Sequence, residues 1–323
     1  MMCIASCNRL LSLYRPVFRQ RVAKKAALAA LLFCSLVFIS VTTGYANAGV
    51  LRYCDKPDSI SAAQQDKLLR FASLIKQELD QSGESIAIVS RSGLDLSRFD
   101  QRYSHAGISI KESANAPWSV RQLYYDCEAD RPKIFDQGMA GFVTGTSDPA
   151  IGFISIVFLP EEKSNAVERT VQNNPLALAL LGSTYSANAY PFSDVFQNCN
   201  QWVIELIATA WSGRDSNRTL AQAWLQQENY QPSQFNVGNR LLMWLGGVIP
   251  WLNSKDHPSA DLEQAIYRVS MPSSIEAFVK TQAPSSTRIE LCHTDKYMVI
   301  KRGWESITPG CKPGENDTVI AFD

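Results

Sequence analysis

Gln197-Asn198-Cys199-Asn200-Gln201-Trp202-Val203 opens the segment that decides how this chain folds. The stretch follows a turn-prone segment at residues 190–194, and apolar residues follow Cys199 at spacings of four, seven and eleven. These spacings put the cysteine and the apolar residues on one face of a helix. The sequence therefore predicts a helix that begins at Cys199 and ends near Trp211.

A thiol at the first position of a helix lies close to free backbone N–H groups and to the positive end of the helix dipole. This placement lowers the pKa of a thiol and favours the nucleophilic thiolate. The alternative is that Cys199 is a small buried apolar residue, as most unpaired cysteines are. The rest of the chain has to decide between the two roles.

The first 48 residues have the pattern of a secretory signal peptide. They hold six basic and no acidic residues, an apolar run from Ala26 to about Val41, and a small-x-small pattern that ends at Ala48. We expect residues 1–48 to be cleaved and the mature protein to be periplasmic. The alternative is an uncleaved inner-membrane anchor facing the periplasm, because the run is close to the minimum spanning length.

Removal of residues 1–48 leaves 25 basic and 31 acidic residues, a net charge of −6. A mildly acidic protein has no electrostatic basis for binding nucleic acid. The sequence also has no CxxC pair, no HExxH and no phosphate-binding glycine loop, so we predict neither a metal nor a cofactor.

The mature chain has five cysteines, an odd number, and an oxidising compartment favours their pairing. Cys292 and Cys311 are in the same C-terminal segment and can pair locally, which leaves Cys54 for Cys127. Four cysteines allow three connectivities, so this pairing is a hypothesis. The remaining cysteine is Cys199.

Three segments follow the signal peptide. Residues 49–83 are predicted to form an N-terminal helical segment, and residues 84–213 contain the candidate core with α and β elements. Residues 214–323 are predicted to form a helical and β extension packed on that core, with a small β unit at its end. The apolar run at residues 241–252 is too short to span a bilayer and is either a buried helix or a surface that meets lipid.

His105 stands at the start of a predicted strand, on the face opposite Ala106 and Ile108. The neighbouring Gly107 leaves room for another group to approach. Gln122 lies on the next predicted strand, within a residue or two of being opposite His105. Its amide oxygen can accept from an imidazole N–H and hold the ring in one orientation. The alternative for His105 is a purely structural role.

Two motifs carry a family resemblance. Arg-Tyr-Ser-His-Ala-Gly-Ile at 102–108 resembles the histidine strand of NlpC-type, papain-like cysteine hydrolases, and Asn-Cys-Asn-Gln-Trp-Val at 198–203 resembles their cysteine helix. The histidine precedes the cysteine, as in the circularly permuted branch that includes lecithin–retinol-acyltransferase-like proteins. The stretches 92–99, 135–138 and 185–192 are also similar to a family of exported bacterial proteins known only as a domain of unknown function.

The resemblance implies an α+β, papain-like fold in permuted order, with an antiparallel sheet packed on the cysteine helix. It implies that Cys199 is the nucleophile, His105 the base and Gln122 the third residue, where many triads have a charged one. Tyr103, Tyr190 and Asn198 are further candidates for substrate or oxyanion contacts.

The implied activity is that of an exported hydrolase that cleaves a cell-wall peptide or similar amide through a thioester. The alternatives are a lipid-directed thioesterase or acyltransferase, with contact at the membrane surface, and a non-catalytic envelope binding protein. The partner is then a peptide or acyl substrate of the cell envelope. The sequence does not give the oligomeric state.

Overall fold

The computed structural model describes residues 60–146, 148–215, 217–246, 249 and 251–322. The predicted signal peptide at residues 1–48 and Cys54 lie outside them. These residues belong to one compact unit, Tyr53–Asp323. None of their helices is long and apolar enough to cross a membrane.

The described residues form ten strands and nine α-helices. The strands are β1 Ile86–Arg91, β2 His105–Ile110, β3 Ser119–Asp126, β4 Arg131–Gln137, β5 Gly152–Phe158, β6 Ser233–Asn236, β7 Ile266–Val269, β8 Thr287–His293, β9 Tyr297–Arg302 and β10 Thr318–Ala321. The helices are α1 Ala62–Gln81, α2 Met139–Thr144, α3 Glu161–Gln172, α4 Asn174–Ala179, α5 Cys199–Ser212, α6 Arg218–Gln227, α7 Arg240–Gly246, α8 Ser259–Glu263 and α9 Pro272–Gln282.

Within the described residues, eight strands form an antiparallel sheet in the order β10-β9-β8-β5-β1-β2-β3-β4. The predicted α+β class with a large antiparallel sheet is therefore confirmed. The C-terminal strands continue this sheet through the β5–β8 pair, with Phe153 opposite Cys292. The strands predicted as a small β unit at the C-terminus are β8, β9 and β10, which belong to the main sheet, and among the described strands β6 and β7 form a second sheet.

Helices cover both faces of the sheet, and each face has its own apolar cluster. On one face, here called the α1 face, Phe71 and Phe142 from α1 and α2 pack on residues such as Val89. On the other, the α5 face, Leu206 packs with residues such as Ile108, together with side chains from α3 and α9. Coverage on both faces explains why β1 is buried along its whole length.

A fully buried carboxylate anchors helix α5. Glu205 accepts hydrogen bonds from Arg218 Nε at 2.9 Å, Gln197 Nε2 at 2.6 Å and Gln222 Nε2 at 2.7 Å. Burial raises the pKa of Glu205, and the charge of Arg218 opposes that shift. Because Gln197 is two residues before Cys199, the network holds the chain that leads into the cysteine helix.

Candidate active site

Asn198 caps helix α5 and thereby positions Cys199. Its Oδ1 accepts from the Gln201 backbone N–H at 2.7 Å, and its Nδ2 donates to the carbonyls of Ala187 and Ser270 at 3.3 and 3.4 Å. Asparagine is among the best residues at this position because its side chain satisfies a free N–H of the first turn. Both polar groups of Asn198 are thus engaged in holding the start of the helix.

Cys199 is the free cysteine of the described chain, and it is buried. Its sulfur accepts from its own backbone N–H, from that of Asn200 and from the hydroxyl of Tyr185. Burial nevertheless raises the pKa of the thiol to about 11, although the charge of Arg91 and these donors act in the opposite direction. The sequence-based expectation of a lowered thiol pKa was wrong, because desolvation of the thiolate outweighs the helix N-terminus.

His105 and Gln122 are hydrogen-bonded to each other, Nε2 to Oε1, at 2.7 Å. The Gln122 amide is oriented in turn, since its Nε2 donates to Gln137 Oε1 at 2.8 Å. An amide oxygen only accepts, so the imidazole proton lies on Nε2 and Nδ1 is the basic nitrogen. Burial lowers the pKa of His105 to about 3, helped by the charge of Arg91 and opposed by the bond to Gln122.

The side chains of Cys199 and His105 lie on different faces of the sheet. Cys199 belongs to the apolar cluster of the α5 face together with Ala106. The His105 ring lies on the α1 face, with its centroid 4.9 Å from that of Tyr124 and 6.1 Å from that of Phe142. The structure therefore joins His105 to Gln122 and places the thiol across the sheet from them.

The two residues are nevertheless at the same end of the sheet. Asn200, which follows Cys199, donates from Nδ2 to the carbonyl of Ser104, which precedes His105, at 3.1 Å. His105 is the first residue of β2, and the backbone N–H of Ser104 before it donates to the carbonyl of Arg91 at 3.1 Å. Contact between the thiol and the imidazole thus requires a local movement around the start of this strand.

Arg91 is a buried cation at the end of strand β1. It is 5% exposed and pairs with His105 in the β1–β2 register. Its Nη2 donates to the Tyr124 hydroxyl at 2.9 Å, and the guanidinium carbon lies 5.6 Å from the centroid of Phe142. Its charge lowers the pKa of Cys199 and of His105 alike, so it favours the thiolate and disfavours the imidazolium.

Strand β3 approaches closely at Gly107. A Cβ atom on Gly107 would lie 2.5 Å from Val120 Cγ1 and 2.9 Å from the carbonyl oxygen of Arg121. Strand β3 therefore occupies the space beside His105 that Gly107 leaves open. This close approach lets Gln122 reach His105 across the strand pair.

Two of the predicted contact residues have other partners in the fold. The Tyr103 hydroxyl is hydrogen-bonded to Glu290 and receives a bond from Arg288 Nη2 at 3.3 Å. The Tyr190 ring lies 5.6 Å from that of His257, and the Tyr190 N–H donates to Asp256 at 2.8 Å. The tyrosine that reaches the thiol is Tyr185, which sequence reasoning did not select.

The predicted local disulfide between Cys292 and Cys311 is confirmed. Cys127 is also disulfide-bonded, and its predicted partner Cys54 lies outside the described residues. Over the described ranges, no group of three or more His, Cys, Asp or Glu side chains is arranged to hold a metal ion.

A family model for uncharacterised proteins conserved in bacteria, DUF2145, matches residues 78–279. The chain belongs to the DUF2145 family. The matched region includes Cys199, His105 and Gln122, so this DUF2145 chain has its candidate site within the part that defines the family. The search of curated proteins and the search of solved structures gave no match.

Arg91, Gln137 and Tyr185 are the site residues that sequence reasoning missed in this DUF2145 protein. Gln137 and Tyr185 lie within the stretches 135–138 and 185–192, which carried the resemblance to an exported bacterial family. The signal for both was therefore in the sequence. Arg91 gave no signal, because an arginine at the end of a strand ordinarily reaches solvent.

Proposed function

We propose that this DUF2145 protein is an exported cysteine hydrolase with a papain-like fold in permuted order, which cleaves an amide through a thioester. The observation that supports it most directly is the oriented pair of His105 and Gln122 at the end of the sheet where α5 presents Cys199. An imidazole protonated on Nε2 and basic at Nδ1 is the form that a general base needs. The proposed nucleophile, Cys199, is a free cysteine at the first position of helix α5.

The chemistry proceeds in two acyl transfers. His105 Nδ1 takes the proton of Cys199 Sγ while Sγ bonds to the carbonyl carbon. The backbone N–H groups of Cys199 and Asn200 stabilise the oxyanion. The imidazolium then protonates the departing amine, which leaves a thioester. Water attacks the thioester carbonyl while His105 takes its proton, the C–S bond breaks and the carboxylic acid leaves, and His105 returns the proton to Sγ.

The buried, neutral state of both groups sets a requirement on this mechanism. With a thiol pKa of about 11 and an imidazole pKa of about 3, the resting pair is uncharged. Proton transfer and attack then occur together, after a movement around Ser104 and His105 has brought Nδ1 to Sγ. A substrate that opens the start of β2 would supply both access and alignment.

Acylation of Cys199 tests the proposal. The mature protein, with its disulfides intact, is incubated with small acyl thioesters and with peptide amides, and the acyl-enzyme is detected by mass spectrometry. We expect a single adduct on Cys199, none in Cys199→Ser, and adduct formation slowed by about 10²-fold or more in His105→Ala.

His257→Ala is the matched control, because His257 is another buried histidine whose Nε2 bonds a backbone carbonyl at 2.7 Å. Its adduct should form at the wild-type rate. Acylation that is equally fast in His105→Ala and in the wild type would refute the role of His105.

A lipid-directed thioesterase or acyltransferase is the second candidate. The observation that favours it is at α7, where Leu241 and Leu242 are 65% and 49% exposed. Exposed leucines on one short helix suit contact with an acyl chain or a membrane surface. Faster acylation by long-chain than by acetyl thioesters, lost in the double variant of these leucines, would favour this candidate over peptide cleavage.

A further inference from the structure

A cavity lies beside Tyr103, the residue before Ser104. It has a volume of about 290 Å³, which suits a molecule of the size of an amino acid or dipeptide. Its lining includes Asp100, Tyr103, Glu276, Lys280, Arg288 and Trp304. Residues of both charges therefore surround one small space.

The floor of the cavity is a buried network of charges. Arg288 Nε donates to Glu276 Oε2 at 3.0 Å and to Ser155 Oγ at 2.9 Å, and Glu290 accepts from Arg102 Nη1 at 2.7 Å. Buried ion clusters are expensive to desolvate, so they are weak evidence for stability. The position of these buried charges beside a cavity is better explained by recognition of a polar ligand.

Glu276 has a carboxylate oxygen to spare. It is 8% exposed, and its Oε1 has no hydrogen-bond partner among the described residues. A buried acceptor without a donor costs free energy until a donor is supplied. Rotation of the Glu276 carboxylate, which lines the cavity, would present this oxygen to an ammonium group bound there.

Lys280 provides the opposite charge on the same helix. Glu276 and Lys280 are at positions i and i+4 of α9, which places their side chains on one face. They do not pair, since Glu276 bonds Arg288 and the Lys280 ammonium lies 5.2 Å from the centre of the Trp304 ring. A carboxylate and an exposed ammonium therefore stand side by side along the cavity.

Both walls of the cavity are tied to the start of the cysteine helix. Tyr103 is adjacent to Ser104, whose carbonyl accepts from Asn200. Met271, which precedes α9, meets the same Asn200 Nδ2 through its sulfur at 3.9 Å. The segments that line the cavity are thus linked through Asn200 to the first turn of the cysteine helix.

We propose that this cavity binds a compact zwitterion, an amino acid or dipeptide, with its ammonium at Glu276 and its carboxylate at Lys280. The inference rests on the proposed function in that it names the charged part of a substrate or product of the Cys199 site. Trp304 offers a flat apolar wall for the carbon skeleton between the two charges.

Calorimetric titration of the mature Cys199→Ser protein tests binding without any chemistry. The probes are L-alanyl-L-alanine, its N-acetyl derivative and its C-terminal amide. We expect the dipeptide to bind with a Kd at or below roughly 1 mM and both derivatives to bind about tenfold more weakly. Failure of the dipeptide to bind in this range, or equal affinity for all three probes, would overturn the proposal.

Lys280→Ala should weaken dipeptide binding about tenfold and remove the preference for the dipeptide over its amide. Lys296→Ala is the matched control, an exposed lysine outside the cavity, and equal weakening in it would count against the site. Glu276→Gln should remove the preference over the N-acetyl derivative. Glu276→Gln also breaks the buried ion pair with Arg288. If the Glu276→Gln variant does not fold, the result for Lys280→Ala decides the question.

The two proposals fail in different ways. A wild-type protein that binds the dipeptide but never forms an acyl adduct would refute the hydrolase and leave the cavity site intact. A protein that forms an acyl adduct at Cys199 but binds no zwitterion would refute the cavity site and leave the proposed hydrolase intact.

Discussion

The pH dependence of alkylation at Cys199 measures the competition between burial and the helix N-terminus. Burial holds the pKa of this thiol at about 11, whereas an unperturbed thiol has a pKa of about 8.5. At pH 7 about one Cys199 in ten thousand is then a thiolate, roughly 300-fold fewer than for a free cysteine. We expect the alkylation rate to rise about tenfold per pH unit from pH 7 to pH 10 without reaching a plateau.

Iodoacetamide labelling of the intact mature protein, followed by mass spectrometry, gives this rate at each pH. Tyr185→Phe removes a hydroxyl that donates to the sulfur. Since a hydrogen bond of this kind is worth about 0.5–1.5 kcal/mol, the rate at each pH should fall by roughly two- to tenfold. Tyr125→Phe is the matched control, because the Tyr125 hydroxyl bonds Asp130 instead.

One result would refute this reasoning. A rate that levels off below pH 8 in the folded protein would mean that the thiolate already exists at neutral pH. Burial would then not be the dominant influence on the pKa of this thiol, and the opposing influences of Arg91 and the hydrogen-bond donors would outweigh it.

Three further predictions follow from the same region. Gln122→Glu replaces the neutral acceptor of His105 by a carboxylate and should raise the pKa of that imidazole, and an unchanged NMR titration of the ring would contradict this. Gly107→Ala should cost about 1–3 kcal/mol in urea unfolding because its Cβ meets strand β3, whereas Gly138→Ala, which meets nothing within 4 Å, should cost little. The pKa values of His105 and His293 lie at about 3 and about 4 in the folded state. Below about pH 6.5 the unfolded chain therefore binds protons that the folded chain excludes, and stability should fall from there towards pH 4 by up to about 1.4 kcal/mol per pH unit for each histidine. An equally steep fall in His105→Asn would show that His105 does not contribute to it.

Local patterns predicted most of the elements. The period of apolar residues placed α5. Ser61 and Gln64 form a capping box at the start of α1, with both reciprocal bonds present, and this spacing is readable in the sequence. Alternation in β2 and β3 predicted that Gln122 would come near His105. These features depend on residues that are close in the sequence or on neighbouring strands, which a pattern can represent.

Long-range packing was not predictable in the same way. Strand β4 was missed because Pro132 interrupts its pattern, and a proline is tolerated there since β4 is an edge strand. The segment that follows β5 forms two helices, α3 and α4, with Pro175 in the first turn of the second. The face of the sheet on which His105 lies relative to α5, and the burial that sets the pKa of Cys199, depend on how distant segments pack.

The disulfide between Cys292 and Cys311 makes the shape of the cavity beside Glu276 and Lys280 depend on redox conditions. Cys292 is held in strand β8, and the chain from the end of β9 to Cys311 carries Trp304, the flat wall of the cavity. The bridge therefore fastens the far end of a wall segment that has little regular structure of its own. Protein made in a reducing cytoplasm would keep the sheet and the start of α5, while this wall would be free to move. Ligand binding would then report on the compartment in which the chain had folded.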